Sequence, residues 1–336
     1  MPSIRANLIA TVLVGLASVA AAETPEDMPR LRQYTQTSPP VLRFAVVEGR
    51  VILKCLTQSN FQTQTNYGNG LRETMALQSN GGRSTLNYER ITAKEQVKIN
   101  VASPGGKTCI ARTPRGKSSF LPMEFQQAPG EKTSLTLGTG DRRQVFQAAD
   151  FWRLAIVQQG ECKEHLFPLL DMLRPDWKVA TMVARVETSL LAHANEDAMG
   201  NNERWAALVK QLGDDRFARR EAADRALRAG GPSALAYLRQ LDFDHLDAEQ
   251  QFRIRRIVSA IGGRNDDDLP DEVAAPLAHD PGVWLALLGR PEVATRQTAA
   301  RQLAKLLDQP IDVDPAAEPD SQKAKREKLL TRIDKK

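Results

Sequence analysis

The pattern of hydrophobic and polar residues changes near residue 140. Before that point, short apolar runs such as residues 41–47 and 51–56 alternate with turn-forming pairs such as Asn-Gly, Gly-Gly and Pro-Gly. Many short strands with frequent turns are typical of an antiparallel sandwich or a curled sheet. The pattern therefore predicts an antiparallel β domain over residues 41–140, which follows a proline-containing linker at residues 23–40.

Beyond residue 140 the apolar residues recur at the spacing of helices. Leu166, Leu170 and Leu173 fall on one face of a helix that Pro175 ends. Residues 177–192 continue with a second apolar stripe. Residues 141–200 are therefore predicted to form a helical connecting segment.

The helical part also contains an internal repeat. Residues 212–227 and 288–303 match at a constant offset of 76 residues, and a looser copy lies between them at residues 251–258. Two steps within 76 residues imply a unit of about 38 residues, the length of helix-pair solenoid repeats. The repeat-defining positions, identical in the two full copies, are Arg220 and Arg296, Ala223 and Ala299, and Leu227 and Leu303.

Each repeated residue type has a physical reason. Small alanines let paired helices approach closely, and the recurring arginine either caps backbone carbonyls or pairs with an acid on the adjacent repeat. A single unit cannot bury its own apolar face, so the units are expected to stack. The predicted fold class is α+β, with an N-terminal antiparallel β domain followed by an all-α helical solenoid over residues 201–308.

At these positions the sequence resembles the HEAT-like repeat family, including the short variety named after phycobilisome lyases. The resemblance covers roughly residues 203–308 and implies stacked helix pairs, with no implied reaction. The whole layout also resembles a group of exported bacterial proteins with a β-rich front and a HEAT-like rear.

The two ends of the chain have their own signatures. Arg5, an apolar run at residues 8–16 and the small residues 20–22 match a cleavable signal peptide over residues 1–22. The apolar run is too short to span a bilayer, and no later segment of the sequence is long enough, so no membrane span is expected in the mature chain. The expected location is periplasmic or secreted. Residues 309–336 form a charged tail that either makes a polar helix around Leu329 or stays disordered.

Charge and cysteine content refine this interpretation. The chain has 46 Lys and Arg against 41 Asp and Glu, a mild excess that, with export, argues against nucleic acid as a partner. The arginines of the repeat region are expected to make structural pairs rather than a basic ridge. Of the three cysteines, Cys55 and Cys109 are a candidate disulfide in an oxidising compartment, and three separate buried thiols are the alternative.

Motifs for catalysis are missing. Two Gly-Lys-Thr/Ser fragments at residues 106–108 and 116–118 lack the earlier glycine of a P-loop, so hairpin turns explain them better. Cys162 and His165 could supply only half of a metal site. The acidic stretch from Asp266 to Glu272 is interpreted as a solvated loop between repeats, with weak calcium binding as the alternative. The sequence thus indicates no catalytic residue, no cofactor and no metal ligand.

These observations favour an exported, non-catalytic binding or scaffolding protein that uses its helical surface to contact another protein of the cell envelope. One alternative is an exported hydrolase of polysaccharide or peptide with dispersed carboxylates, favoured by two acids facing each other in a cleft, one with a raised pKa. A second alternative is carbohydrate binding by exposed aromatic residues of the β domain. The candidates are Phe61, Tyr67, Tyr88, Phe120 and Phe125.

Overall fold

The fold is described from a computed structural model, which covers residues 24–37, 40–68, 70–195, 198–239, 241–262 and 267–333. The predicted signal peptide, residues 1–22, lies outside the described residues. Within them the chain is α+β: an antiparallel β region is followed by helices, as the sequence predicts. No helix in these ranges is both long and apolar enough to cross a membrane.

The β region consists of a hairpin and a long meander. The strands of the described residues are β1 Leu42–Val47, β2 Arg50–Cys55, β3 Asn60–Asn66, β4 Arg72–Asn80, β5 Arg83–Ile91, β6 Glu95–Ser103, β7 Thr108–Pro114, β8 Met123–Gln127, β9 Thr133–Leu137 and β10 Gln144–Ala148. Strands β1 and β2 pair with each other, and β3 to β10 form an eight-stranded antiparallel sheet in which each strand pairs with the next. Strand β10 lies in the predicted helical segment, so the β region extends beyond residue 140.

One face of the eight-stranded sheet forms the main core. Alternate residues are fully buried, for example Leu86 and Tyr88 on β5 and Val97 and Ile99 on β6. This alternation is expected for an antiparallel sheet with one covered face. Strand β2 packs against β5 and β6 on this inner face.

The helices of the described residues follow the sheet, apart from the first. They are α1 Pro29–Thr35, α2 Phe151–Val157, α3 Gln159–Glu161, α4 Phe167–Leu173, α5 Val179–Asn195, α6 Ala198–Gln211, α7 Phe217–Ala229, α8 Gly231–Arg239, α9 Ala248–Gly262, α10 Pro270–Leu277, α11 Pro281–Leu287, α12 Val293–Leu307 and α13 Lys323–Ile333. A π-helical turn, Cys162–Leu166, joins α3 to α4.

Two predicted connecting regions are parts of the core. Residues 23–40 were expected to be a linker, which is wrong for α1, because Met28 and Leu31 are buried beneath it. Pro29 does not break this helix, since proline is tolerated in the first turn. The segment from α2 to α5 is not a mere connector either: it contributes fully buried side chains such as Leu154 and Leu170 to the main core.

The two full copies of the repeat lie in different surroundings. The first copy comprises the loop after α6 and most of α7. Helices α6 to α9 pack around a separate small core that includes Trp205, Leu227 and Ile257. The second copy comprises the loop after α11 and most of α12 and is part of the main core. Helix α5, which precedes the repeat, packs against both α10 and α12.

The charged tail is helical in its C-terminal part, whereas residues 309–318 form turns and irregular structure. Helix α13 packs against α11 and buries Leu329. The polar-helix alternative is therefore confirmed.

Candidate functional site

The turn between β1 and β2 is the point where the sheet meets the helices. Glu48 and Gly49 have φ angles of +53° and +69°, as two-residue hairpin turns with two positive φ values require. A Cβ on Gly49 would lie 2.7 Å from the Asp150 Cβ, so glycine is needed here for space as well as for conformation. The turn therefore sits directly against the N-terminus of α2.

Two adjacent aspartates, Asp267 and Asp268, hold this turn from the helical side; we call them the aspartate clasp. Asp268 Oδ1 accepts from the Glu48 amide at 2.7 Å. Its Oδ2 accepts from the Gly49 amide at 2.8 Å and from Trp152 Nε1 at 2.7 Å. The clasp thus ties the hairpin to α2.

Asp267 extends the clasp to β1 and α4. Its Oδ1 accepts from the Val46 amide at 2.9 Å and from Trp177 Nε1 at 3.0 Å, while its Oδ2 accepts from Arg174 Nη1 at 2.6 Å. The interpretation of this stretch as a solvated loop is wrong for both clasp residues, because all four carboxylate oxygens accept hydrogen bonds from the protein. Asp266 lies outside the described residues, and in the described ranges no group of His, Cys, Asp and Glu is arranged to hold a metal ion.

A cleft of about 200 Å³ opens beside the clasp, between the β1–β2 turn and α10; we call it the acidic cleft. Its carboxylates are Glu48, Asp150, Asp268 and Glu272. Its cations are Arg153 and Arg239, and its apolar wall includes Trp152, Val273 and Leu277.

Glu272 is the least satisfied group of the acidic cleft. Its side chain is only 9 % exposed, and Oε2 accepts from Arg239 Nη1. The other oxygen, Oε1, is buried and has no hydrogen-bond partner among the described residues. Burial raises the pKa of Glu272, and the nearby charge of Asp268 adds to this rise against the effect of Arg239. Burial also raises the pKa of Asp268 despite its three donors.

A second, larger cleft of about 430 Å³ lies on the other side of the Trp152–Asp268 contact. It is lined by Arg43, Arg174 and Arg185 together with Asp176 and the ring of Trp177. Arg174 donates to Asp176 and to the Phe44 carbonyl as well as to Asp267, so each nitrogen of its guanidinium has an acceptor within the protein.

The repeat arginines have the same local role in both copies. Arg220 Nη1 donates to the carbonyls of Asp214 and Asp215 at 2.8 and 3.1 Å. Arg296 Nη1 donates to the carbonyls of Arg290, at 2.9 Å, and Pro291, which are the equivalent positions. The carbonyl-capping role is thus confirmed. Arg220 also pairs with Glu249 of α9 at 3.5 Å, so the pairing role is present as well.

The other repeat positions are also equivalent in burial. Ala223, Ala299, Leu227 and Leu303 are completely buried. Most neighbouring arginines make ion pairs rather than a free basic ridge. These pairs are Arg219 with Asp214, Arg228 and Arg256 with Asp224, and Arg253 with Glu221 and Glu249.

The helical surface exposes large apolar side chains at related places. Phe217, the first residue of α7, is 63 % exposed, and its repeat equivalent Val293, the first residue of α12, is 43 % exposed. Phe252, near the start of α9, is 60 % exposed. The sequence comparison matched Phe217 with Val293 in character but gave no sign that they face solvent.

The predicted disulfide is not formed, and both cysteines are free thiols. Cys109 lies on the outer face of the sheet, between the inward-facing Thr108 and Ile110, and its Sγ donates to Glu124 Oε1 at 3.5 Å. Cys55 ends β2 and packs against the core on the inner side. The sheet separates the two thiols, so the Cys55–Cys109 prediction is corrected.

The aromatic residues proposed for carbohydrate binding do not share an exposed face. Tyr88 and Phe125 are buried, Phe120 lies under the Arg112 guanidinium, and Phe61 stacks on Tyr34. Only Tyr67 of this group is classed as exposed, at 39 %. Residues 106 and 107 lie between β6 and β7, and Thr108 begins β7. Residues 116–118 lie between β7 and β8, so the turn interpretation of both fragments holds.

A buried charge network at one end of the sheet was missed by the sequence analysis. Glu95 accepts from Arg90 and from Arg112 Nε at 2.6 Å, and Glu73 accepts from the hydroxyls of Tyr67 and Tyr88 at 2.7 and 2.5 Å. All of these charged groups are almost completely buried. The alternating charges face one another across β4 to β7, which no local pattern reveals.

Comparisons with protein-family models, with curated proteins and with solved structures found no match to this chain.

Proposed function

We propose that this chain is an exported, non-catalytic binding or scaffolding protein whose helical region docks another protein of the cell envelope. The observation that carries the proposal is the exposure of Phe217, Phe252 and Val293, each near the start of a repeat helix. Exposed aromatic side chains are frequent anchors of protein interfaces, because they bury much apolar area on binding.

The surroundings of these residues support the same proposal. Arg219, Arg220 and Arg253 are engaged in ion pairs and carbonyl contacts within the chain, whereas Phe217 and Phe252 keep more than half of their surface exposed. The α6–α9 bundle has its own small core, so it can present Phe217 and Phe252 as one unit. Stacked helix pairs, which the resemblance to HEAT-like repeats implies, would provide an extended surface for such a partner.

The hydrolase alternative is favoured by one observation, the raised pKa of both Asp268 and Glu272 in the acidic cleft. Asp268, however, accepts three hydrogen bonds that hold the β1–β2 turn, so only Glu272 retains a free oxygen. Glycoside hydrolysis ordinarily uses two available carboxyl groups. The non-catalytic proposal therefore fits the cleft better.

The test is site-specific photo-crosslinking in the native cell envelope. A photoreactive side chain at position 217 or 252 should give the same discrete adduct, and one at the exposed Leu330 of α13 should not. Loss of that adduct when the other phenylalanine is changed to serine would support a shared interface. The absence of any adduct at 217 and 252, or the same adduct at 330, would contradict the proposal.

Export is tested separately. The mature protein, recovered from the periplasm or the medium, should begin at Glu23 in N-terminal sequencing. An intact Met1 on a protein retained in the cytoplasm would contradict that part of the proposal.

A further inference from the structure

The unpartnered oxygen of Glu272 makes the acidic cleft a candidate ligand site. A buried carboxylate oxygen without a donor is costly, and native proteins rarely leave one unsatisfied. Oε1 belongs to a side chain that is nine-tenths buried and is itself shielded from solvent, and the residue that carries it, Glu272, lines the cleft. A ligand that donates a hydrogen bond to this oxygen would remove the cost.

The charges of the cleft indicate which donor fits. Four carboxylates face two guanidinium groups. Arg153 forms ion pairs with Asp150 at 2.5 Å and with Asp280 at 2.7 Å, so its charge does not balance Glu48 or Glu272. Glu48 is exposed, and the structure of the described residues gives its carboxylate no partner. The excess is therefore negative, and a cation is preferred over a neutral hydroxyl.

The walls of the cleft indicate the rest of the ligand. Val273 and Leu277, one turn apart on α10, line it together with Trp152. This arrangement suits an alkyl stem that lies on an apolar wall and ends in a charged head, as lysine stems do.

We infer that the acidic cleft binds a short aliphatic ammonium group, which donates to Glu272 Oε1 while its alkyl stem lies along Val273 and Leu277. Two sources share this chemistry, a free diamine and the side chain of a lysine in a peptide. The inference is independent of the proposed docking surface, since the cleft does not include Phe217 or Phe252.

The test is calorimetric titration of the full mature chain with two probes and a neutral control. The probes are 1,5-diaminopentane and an Nα-acetyl-lysine methylamide, and the control is 1,5-pentanediol. We expect at least one probe to bind and the diol to fail. Binding of the diamine alone indicates a free amine, and binding of the lysine derivative alone indicates a peptide.

Variants assign the binding to Glu272. E272Q keeps the shape of the side chain. It should lower the affinity for the ammonium probe about tenfold or more, because it removes a charge-assisted hydrogen bond. R239M should tighten binding about two- to fivefold at pH 8, because it removes a competing cation of similar stem length. E327Q, at an exposed glutamate of α13, is the matched control and should change nothing.

Three results would overturn the inference. They are no heat with either probe, equal binding of the diol, or unchanged affinity in E272Q. Circular dichroism of each variant establishes that the chain is folded before the titration is interpreted.

Discussion

The two copies of the repeat share a local anchor but differ in what surrounds it. In both, the arginine in the first turn of the second helix donates to two consecutive carbonyls of the loop before that helix. In the first copy, Arg220 also makes an ion pair with Glu249 and lies over the Phe217 ring, and its side chain is 22 % exposed. In the second copy, Arg296 also donates to the carbonyls of Pro315 and Ala317, and the residue is 3 % exposed.

This difference separates what the repeat encodes from what its location adds. The repeat encodes the contact between a helix and its own preceding loop, which is local and therefore the same in both places. The remaining donors bind whichever element arrives next, α9 in one copy and the segment before α13 in the other. The energetic weight of the same arginine should therefore differ between the copies.

Removal of Arg296, the carbonyl-capping arginine of the second copy, should have the largest effect on stability. Arg296→Ala leaves four backbone carbonyls without their donor, in hydrogen bonds that are partly buried, and we expect a loss of about 3 kcal/mol in the free energy of unfolding. Chemical denaturation measures it. Arg225→Ala, at an exposed position of α7, is the control and should stay within about 0.5 kcal/mol of the wild type. A similar loss in the two variants would contradict the anchor role.

Overpacking the repeat alanines should separate the two copies by location. Ala223→Leu and Ala299→Leu each force a larger side chain into a filled site, at a cost of about 1–3 kcal/mol. Ala223 belongs to the small core, so Ala223→Leu should lower the protection of amides in α6–α9 only. Ala299 belongs to the main core, so Ala299→Leu should lower protection throughout the main core. Hydrogen exchange followed by mass spectrometry measures this.

The comparison fails if both alanine variants lower protection over the same amides. In that case the small core would not be an independent unit. Ala222→Leu, at an exposed neighbour on α7, controls for the effect of the larger side chain itself.

Removal of Arg220, the carbonyl-capping arginine of the first copy, should lower the free energy of unfolding less than removal of Arg296. Arg220→Ala removes two carbonyl contacts and a partly exposed ion pair, so we expect a loss of about 1–2 kcal/mol, confined to the α6–α9 bundle. Arg220→Lys retains the charge but not the fork geometry, and it should recover only part of the loss. A loss as large as that of Arg296→Ala would show that the surroundings do not matter.

The repeat could be recognised in the sequence because its contacts are local. Arg220 and the carbonyls that it caps lie within six residues, so the same letters produce the same contacts twice. The clasp could not be predicted, because its partners are distant along the chain: Trp177 is 90 residues from Asp267, and Val46 is 221 residues from it. The residues around Asp267 and Asp268 in the sequence are typical of a solvent-exposed loop. The donors that bind these two carboxylates lie far away in the sequence, so a local pattern does not include them.

Two other errors have related causes. Cys55 and Cys109 both belong to the β region, but only the register and the face of β7 decide that Cys109 points away from the core. The prolines near Met28 and Leu31 led to the linker prediction. Two apolar residues three positions apart are nevertheless enough to give one short helix a buried face. The orphaned Glu272 oxygen depends on packing between α8 and α10 and has no signature in the sequence.

The smallest expected effect is that of acid pH, which should destabilise the first copy of the repeat more than the second. Asp224 accepts from Arg228 and Arg256, whereas the equivalent residue of the second copy is Ala300. Burial alone would raise the pKa of Asp224, but the hydrogen bonds and charges of the two arginines outweigh it and hold the pKa below its ordinary value of 3.8. The unfolded chain therefore binds this proton first as the pH falls, so the stabilisation from Asp224 is present above pH 3.8 and is lost below it.

Between pH 5 and 3, amide protection of α7 and α9 should fall more than that of α12, by roughly 1 kcal/mol or less, since both arginine partners are partly exposed. Asp214 lies in the first copy too, and its pKa is lowered by the Arg216 amide and Arg219, so it acts in the same direction. Asp224→Asn should reduce the difference between the copies in the protection that is lost from pH 5 to pH 3, because the amide does not titrate. Equal loss of protection in α7 and α12 in the unchanged chain would contradict an electrostatic difference between the two copies.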